Sequence, residues 1–148
     1  PISIYGRNSA SGTYGYFKSS ALCNGDFRSD VNEQPGSASV VQAVSRTPTG
    51  IGYSGMGFQT SGIRPLPLAR RDGEPFVAAT AANAIAGTYP LSRYLYLYLN
   101  HPPGTTFAPL QREFLRFVLS REGQSLVLRD GYVPLPAKVA ARERLRVP

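Results

Sequence analysis

The sequence predicts an α/β fold, with strands covered by helices, and three observations carry that expectation. Short apolar runs at residues 2–5, 51–53 and 94–99 have the length and the flanking residues of strands. Helical patterns alternate with them. The clearest is at residues 107–119, where Leu110, Phe114, Phe117 and Val118 recur at helical spacing. Finally, 15 glycines and 13 prolines in 148 residues require many turns and short elements.

Taken in order, residues 2–5 read as a buried strand entering Gly6-Arg7-Asn8-Ser9-Ala10-Ser11-Gly12-Thr13. Residues 14–22 leave that stretch as one short helix, with Tyr14, Phe17 and Ala21 or Leu22 on one side. Residues 23–36 are polar and read as a long loop with room for a short helix. Val40, Val41 and Val44, among small neighbours, predict a helix over residues 37–45 capped by Ser37 or Ser39. Thr47-Pro48-Thr49-Gly50 ends it, and residues 51–53 form a short buried strand. Gly50-Ile51-Gly52-Tyr53-Ser54-Gly55 has the spacing of a dinucleotide fingerprint. The glycines at 55, 57 and 62 break any following helix, so it is turn chemistry. Ser54 has no glycine two residues on and is no nucleophile elbow.

Pro65 and Pro67 assign residues 63–68 to an edge strand, and Arg70-Arg71-Asp72-Gly73 to a turn. The alanine-rich residues 76–86 carry a short helix stopped by Gly87, apolar enough to pack closely against a neighbour. Residues 94–99 alternate tyrosine with leucine, so both faces are apolar, as in a strand covered by helices. His101-Pro102-Pro103-Gly104 ends it. After residues 107–119, a second helix over 120–128 stops at Asp130-Gly131. Pro136 opens a last helix over 137–145 with a solvated basic face.

The formal charge of +7 is almost wholly arginine, since only Lys18 and Lys138 are lysines. Such a balance suits nucleic acid, an anionic membrane face or a small anion. No basic run interleaved with aromatics and no nucleic-acid fold signature appears, so nucleic acid is not expected. One cysteine, Cys23, cannot close an internal disulfide, and one histidine, His101, cannot build a metal cluster. No cofactor is expected. No apolar stretch approaches membrane-spanning length.

Chemistry concentrates between Gly6 and Thr13. A strand running into small hydroxyl residues and glycine at a helix start leaves backbone N–H groups unpaired. With the positive end of the helix dipole, they make an anion site. Arg7 and the hydroxyls of Ser11 and Thr13 add a charge and directional donors, so a tetrahedral oxyanion is the natural guest. The same residues also suit an ordinary helix start, with Ser11 a cap, Gly12 a turn residue and Arg7 a surface charge.

Arg-x-x-x-Ser-Gly-Thr opening a helix resembles the phosphate loop of the periplasmic phosphate-binding proteins that feed ABC transporters. Three later stretches fall in that family's order. They are Ala43-Val44-Ser45-Arg46-Thr47-Pro48-Thr49-Gly50-Ile51-Gly52-Tyr53, Gly87-Thr88-Tyr89-Pro90-Leu91-Ser92-Arg93-Tyr94-Leu95-Tyr96-Leu97-Tyr98 and Gly131-Tyr132-Val133-Pro134-Leu135-Pro136. The resemblance implies part of a two-lobe, type II-like binding-protein fold, a mixed sheet flanked by helices, that closes on its anion. Residues 1–91 would be the anion-binding portion of the second lobe. Residues 92–148 would be the return strand and C-terminal helices of the first. It implies phosphate ligands at Arg7, Ser11, Gly12 and Thr13, and an ABC importer's membrane subunits as partners. Some family members place an acidic residue two positions after this arginine, where Ser9 stands here.

The chain begins directly at a strand. By the resemblance, a signal peptide and an N-terminal part precede it, and the location is periplasmic or secreted. Alone, such a piece would expose an apolar patch and a strand edge and would self-associate. Two other functions remain to be weighed. A phosphate-handling enzyme needs a nucleophile, base or metal near the loop, and the sequence offers none there. A basic interaction module binding polyanions or a protein partner would show steep salt dependence without a phosphate site.

Overall fold

The computed structural model describes residues 1–102 and 104–147, so Pro103 of the expected 101–104 turn lies outside the described residues. Its sheet is built around β1 (Ser3–Arg7), which extends the expected strand through Gly6 and Arg7. β2 (Asn32–Gln34) and β3 (Gly50–Gly52) flank it in the order β2-β1-β3, both parallel to it. Tyr5 pairs with Asn32 on one side and with Gly52 on the other. Parallel neighbours need crossovers. These are α1 (Gly12–Ala21) between β1 and β2, and α2 (Ser37–Ser45) between β2 and β3.

α2 has the expected bounds. Its apolar face carries Val40 and Val41, 1% and 5% exposed, which at about 1.5–3 kcal/mol per buried valine makes it the sheet's main cover. Gly52 permits the close approach. A Cβ there would lie 2.8 Å from the Tyr5 carbonyl oxygen and 2.9 Å from Val40 Cγ1. The cap differs from expectation: Gly36 occupies the N-cap position without a side-chain bond, and Ser37 is the first helical residue.

On α1, Tyr14 and Phe17 form an aromatic cluster with Phe27 and Tyr53. The Phe17 and Tyr53 rings are stacked at 4.2 Å, and Tyr14 lies 4.5 Å from Phe27. Tyr53 can lie across the sheet because Gly6 has no side chain. A Cβ there would sit 3.0 Å from Tyr53 Cε1.

Among the described residues four further helices follow: α3 (Ala81–Ile85), α4 (Pro109–Val118), α5 (Arg121–Arg129) and α6 (Ala137–Arg144). Ser120 caps α5 by accepting from the Gly123 amide at 3.1 Å, and Gly131, at φ +79°, ends it. The backbones of Gly57 and Gly131 touch so closely that a Cβ on Gly57 would overlap the Gly131 carbonyl. This joins the 3-10 turn after β3 (Met56–Phe58) to the end of α5. Leu115 of α4 and Val147 are buried.

Several expectations are corrected. β2 lies inside the expected loop, and its three polar residues carry no apolar signal. β3 is an edge strand, not a buried one, with Ile51 43% exposed. Residues 63–68 form no strand. Pro65 and Pro67 remove ladder donors, leaving one antiparallel bridge between Leu68 and Val77. Residues 94–99 form no strand, with Tyr98 91% exposed, because a strand needs a partner and none pairs with them among the described residues. The apolar stripe of α4 is likewise open, with Leu110 83% exposed, and Ile85 of α3 is exposed, not closely packed.

Candidate anion site

All three strands are parallel, so the loops that start α1 and α2 leave from the same edge of the sheet. Open parallel sheets bind ligands at that carboxyl edge. Ser11 is the N-cap of α1 and only 9% exposed. Its extended backbone turns the chain into the helix, and its Oγ accepts from the Thr13 amide at 3.1 Å. The first regular helical bond runs from the Gly15 amide to the Ser11 carbonyl, at 3.2 Å. The Gly12 and Tyr14 amides find no acceptor among the described residues. The Ser11 hydroxyl still has its own hydrogen to donate. Ser11, Gly12 and Thr13 thus open the helix at its positive end, where two amides and one hydroxyl hydrogen remain to be donated.

Arg7 is placed differently. Its backbone is clamped by Tyr53, whose hydroxyl accepts from the Arg7 amide at 3.1 Å and donates to the Arg7 carbonyl at 3.4 Å. Burial pushes the Tyr53 phenol up, opposed by the weaker pull of that backbone bond, so the group stays protonated and can serve both ways. The guanidinium turns toward α2. Nη1 donates to Ser37 Oγ at 3.0 Å and Nη2 to the Pro35 carbonyl at 3.2 Å. Nε is buried without a partner. Among the described residues Arg7 makes no ion pair and no hydrogen bond to Ser11, Gly12 or Thr13. It lines a cavity of about 410 Å³ with Tyr14, Phe27, Arg28, Val31 and Glu33. That cavity carries both signs of charge, and Ser11, Gly12 and Thr13 do not line it.

Sequence reasoning missed two side chains here. Ser37 entered only as a cap candidate, yet its hydroxyl holds Arg7. Arg93, in the segment after α3, borders α1. Its Nη2 would be 3.8 Å from a Cβ on Gly12, and its guanidinium lies 4.7 Å over the Tyr16 ring. The Tyr16 hydroxyl donates to the Ser92 carbonyl at 3.0 Å, tying that segment to α1. The only sequence signal was the place of Ser92-Arg93 within a stretch already singled out. Among the described residues no three His, Cys, Asp or Glu side chains gather as metal ligands. Among the described residues, too, no helix is long and apolar enough to cross a membrane.

Comparison with known proteins adds a second line of evidence. The model of the PBP superfamily domain matches residues 1–122. Phosphate-binding protein PstS of Pseudomonas aeruginosa is 57% identical over 142 residues, which are 96% of this chain and 44% of that protein. Protein SphX of Synechococcus elongatus is 32% identical over 152 residues, with 99% and 44% covered. This chain therefore spans less than half the length of these curated relatives. Among solved structures, a possible phosphate binding protein from Planctomyces limnophilus superposes with a TM-score of 0.71. It is 24% identical and covers 99% of this chain and 53% of that one. The phosphate-binding protein of a phosphate ABC transporter from Streptococcus pneumoniae gives 0.66 at 24% identity, covering 92% and 51%. Those two likenesses speak to fold, and they bear out the α/β class with its small sheet flanked by helices.

Proposed function

This chain belongs to the PBP superfamily, as its four sequence stretches implied, and from that premise we propose that it binds inorganic phosphate for an ABC importer. The relatives named phosphate-binding protein support phosphate as the guest. The observation that carries the reading is the start of α1. There a buried Ser11 organises the turn, and the Gly12 and Tyr14 amides are left without acceptors. An oxyanion seated there takes donors from Ser11, Gly12 and Thr13 and lies under the field of Arg7. The protein acts by holding and releasing the anion, not by transforming it. Its partners are the importer's membrane subunits, and its place is the periplasm or, as a secreted protein, outside the cell. Within the chain, residues 1–91 carry the anion-binding portion of one lobe, and residues 92–148 carry the return segment and helices of the other.

Titration with phosphate, followed by amide NMR, tests this directly. The Gly12, Thr13 and Tyr14 amides are expected to shift first, ahead of amides at the starts of α4 and α5. Uniform small shifts at millimolar phosphate, the same with chloride, would reject the site.

A further inference from the structure

We propose that Ser37 is a positioning residue for Arg7, and that this arginine meets the anion as a cation held by neutral groups alone. The inference rests on the phosphate site proposed above and concerns how its one charged ligand is aimed. Two bonds from the two terminal nitrogens fix the plane of the guanidinium, at 3.0 Å to Ser37 Oγ and 3.2 Å to the Pro35 carbonyl. The remaining edge gives no hold, because Nε is buried without an acceptor. Orientation therefore depends on those two acceptors.

Both ends of the contact are themselves fixed. The Tyr53 hydroxyl clamps the Arg7 backbone, and the Ser54 hydroxyl donates to the Ser37 carbonyl at 3.1 Å. The Ser37 hydroxyl is available because the N-cap of α2 is Gly36 and no side-chain cap bond forms there. The position where an acidic anchor would stand two residues on is Ser9. Asp26 pairs with Lys18 and Asp30 with Arg28, while Glu33, which lines the same cavity, makes no ion pair with Arg7 among the described residues. A neutral hydroxyl and a carbonyl thus orient the fork, and no ion pair among the described residues takes up its charge.

A double-mutant cycle tests this, with phosphate affinity measured by calorimetry and folding checked by circular dichroism. Ser37→Ala should weaken binding about tenfold, the scale of one hydrogen bond to a charged group. In an Arg7→Ala background the same change should cost less than about twofold, because nothing is left to aim. Ser37→Thr, which keeps the hydroxyl, should restore binding. If Ser37→Ala folds poorly, Ser37→Cys keeps the volume with a weak acceptor and should show the same coupling to Arg7. Equal losses in both backgrounds, or no loss at all, would overturn the positioning role while leaving the site intact. Arg7→Ala binding phosphate like the unaltered protein would instead reject the site reading, and this inference with it.

Discussion

Ser11 holds two roles that a single residue can separate, the cap of α1 and a donor to the anion. Ser11→Ala removes the acceptor of the 3.1 Å bond from the Thr13 amide. It should cost about 1 kcal/mol of stability, the usual worth of a hydroxyl N-cap. For a chain of 148 residues that lowers the melting midpoint by about 2–4 °C. Ser11→Asp keeps a cap of equal rank, and its carboxylate gains about 0.3–1 kcal/mol from the helix dipole, so the midpoint should hold or rise. The same carboxylate, however, sits where the anion must go. Two like charges about 4 Å apart repel by about 1–4 kcal/mol between bulk-water and near-surface dielectric values. Phosphate affinity should therefore fall by about fivefold or more in the variant with the better helix. Ser11→Thr should preserve both properties. Thermal melts by circular dichroism and calorimetric titration on the same samples read the two roles apart. If Ser11→Asp bound phosphate as tightly as the unaltered protein, the anion would not lie at this helix start, whatever the melts showed.

Other expectations follow from single contacts. Arg7→Ala should weaken phosphate binding by about 1.5–3 kcal/mol, whereas the exposed Arg144→Ala should act only through the screened overall field. Equal losses in titration would mean that net charge alone matters. Gly57→Ala forces a methyl into the Gly131 carbonyl and should cost about 1–3 kcal/mol in chemical denaturation. An unchanged midpoint would mean that these backbones do not touch. The Asp26 carboxyl is held below its ordinary range by the Lys18 hydrogen bond and, after it, the Lys18 charge. A carboxyl depressed on folding contributes stability above its unfolded pKa and loses it as pH falls through the folded value. Asp26→Asn should therefore flatten part of the acid side of a stability-versus-pH curve. A variant with the same acid slope would show that the exposed pair contributes nothing.

Local physics was legible where one segment carried its own reasons. Val40, Val41 and Val44 at helical spacing, closed by Thr47-Pro48, specify α2, and its observed bounds agree with that reading. The stops at Gly87 and Gly131 were equally readable, since both adopt positive φ, where glycine alone is unstrained. Ser11 at the start of α1 was readable for the same reason, as a hydroxyl residue before a helix. Residues 94–99 show the limit. Alternating tyrosine and leucine is a strong local signal for a strand, yet these residues join no sheet. A strand, though, is a relation between two segments, and sequence pattern says nothing about whether the second is present.

The candidate site failed to be fully legible for one traceable reason, which begins at β2. Asn32-Glu33-Gln34 carries no hydrophobic period, because an edge strand of three residues buries little. Its pairing with β1 is dictated by register, Gly6 against Glu33 and Arg7 against Gln34. That register puts the end of β2 level with Arg7, so the chain leaving it through Pro35 and Gly36 passes the guanidinium. Ser37, opening α2, arrives within 3.0 Å. With β2 unread, nothing in the sequence could bring Ser37 to Arg7 across 30 positions. The arginine was therefore expected to point at its own helix, when its anchors lie on the next one. A parallel sheet gathers at one edge residues that the chain keeps apart, and the shortest strand decided which residues met.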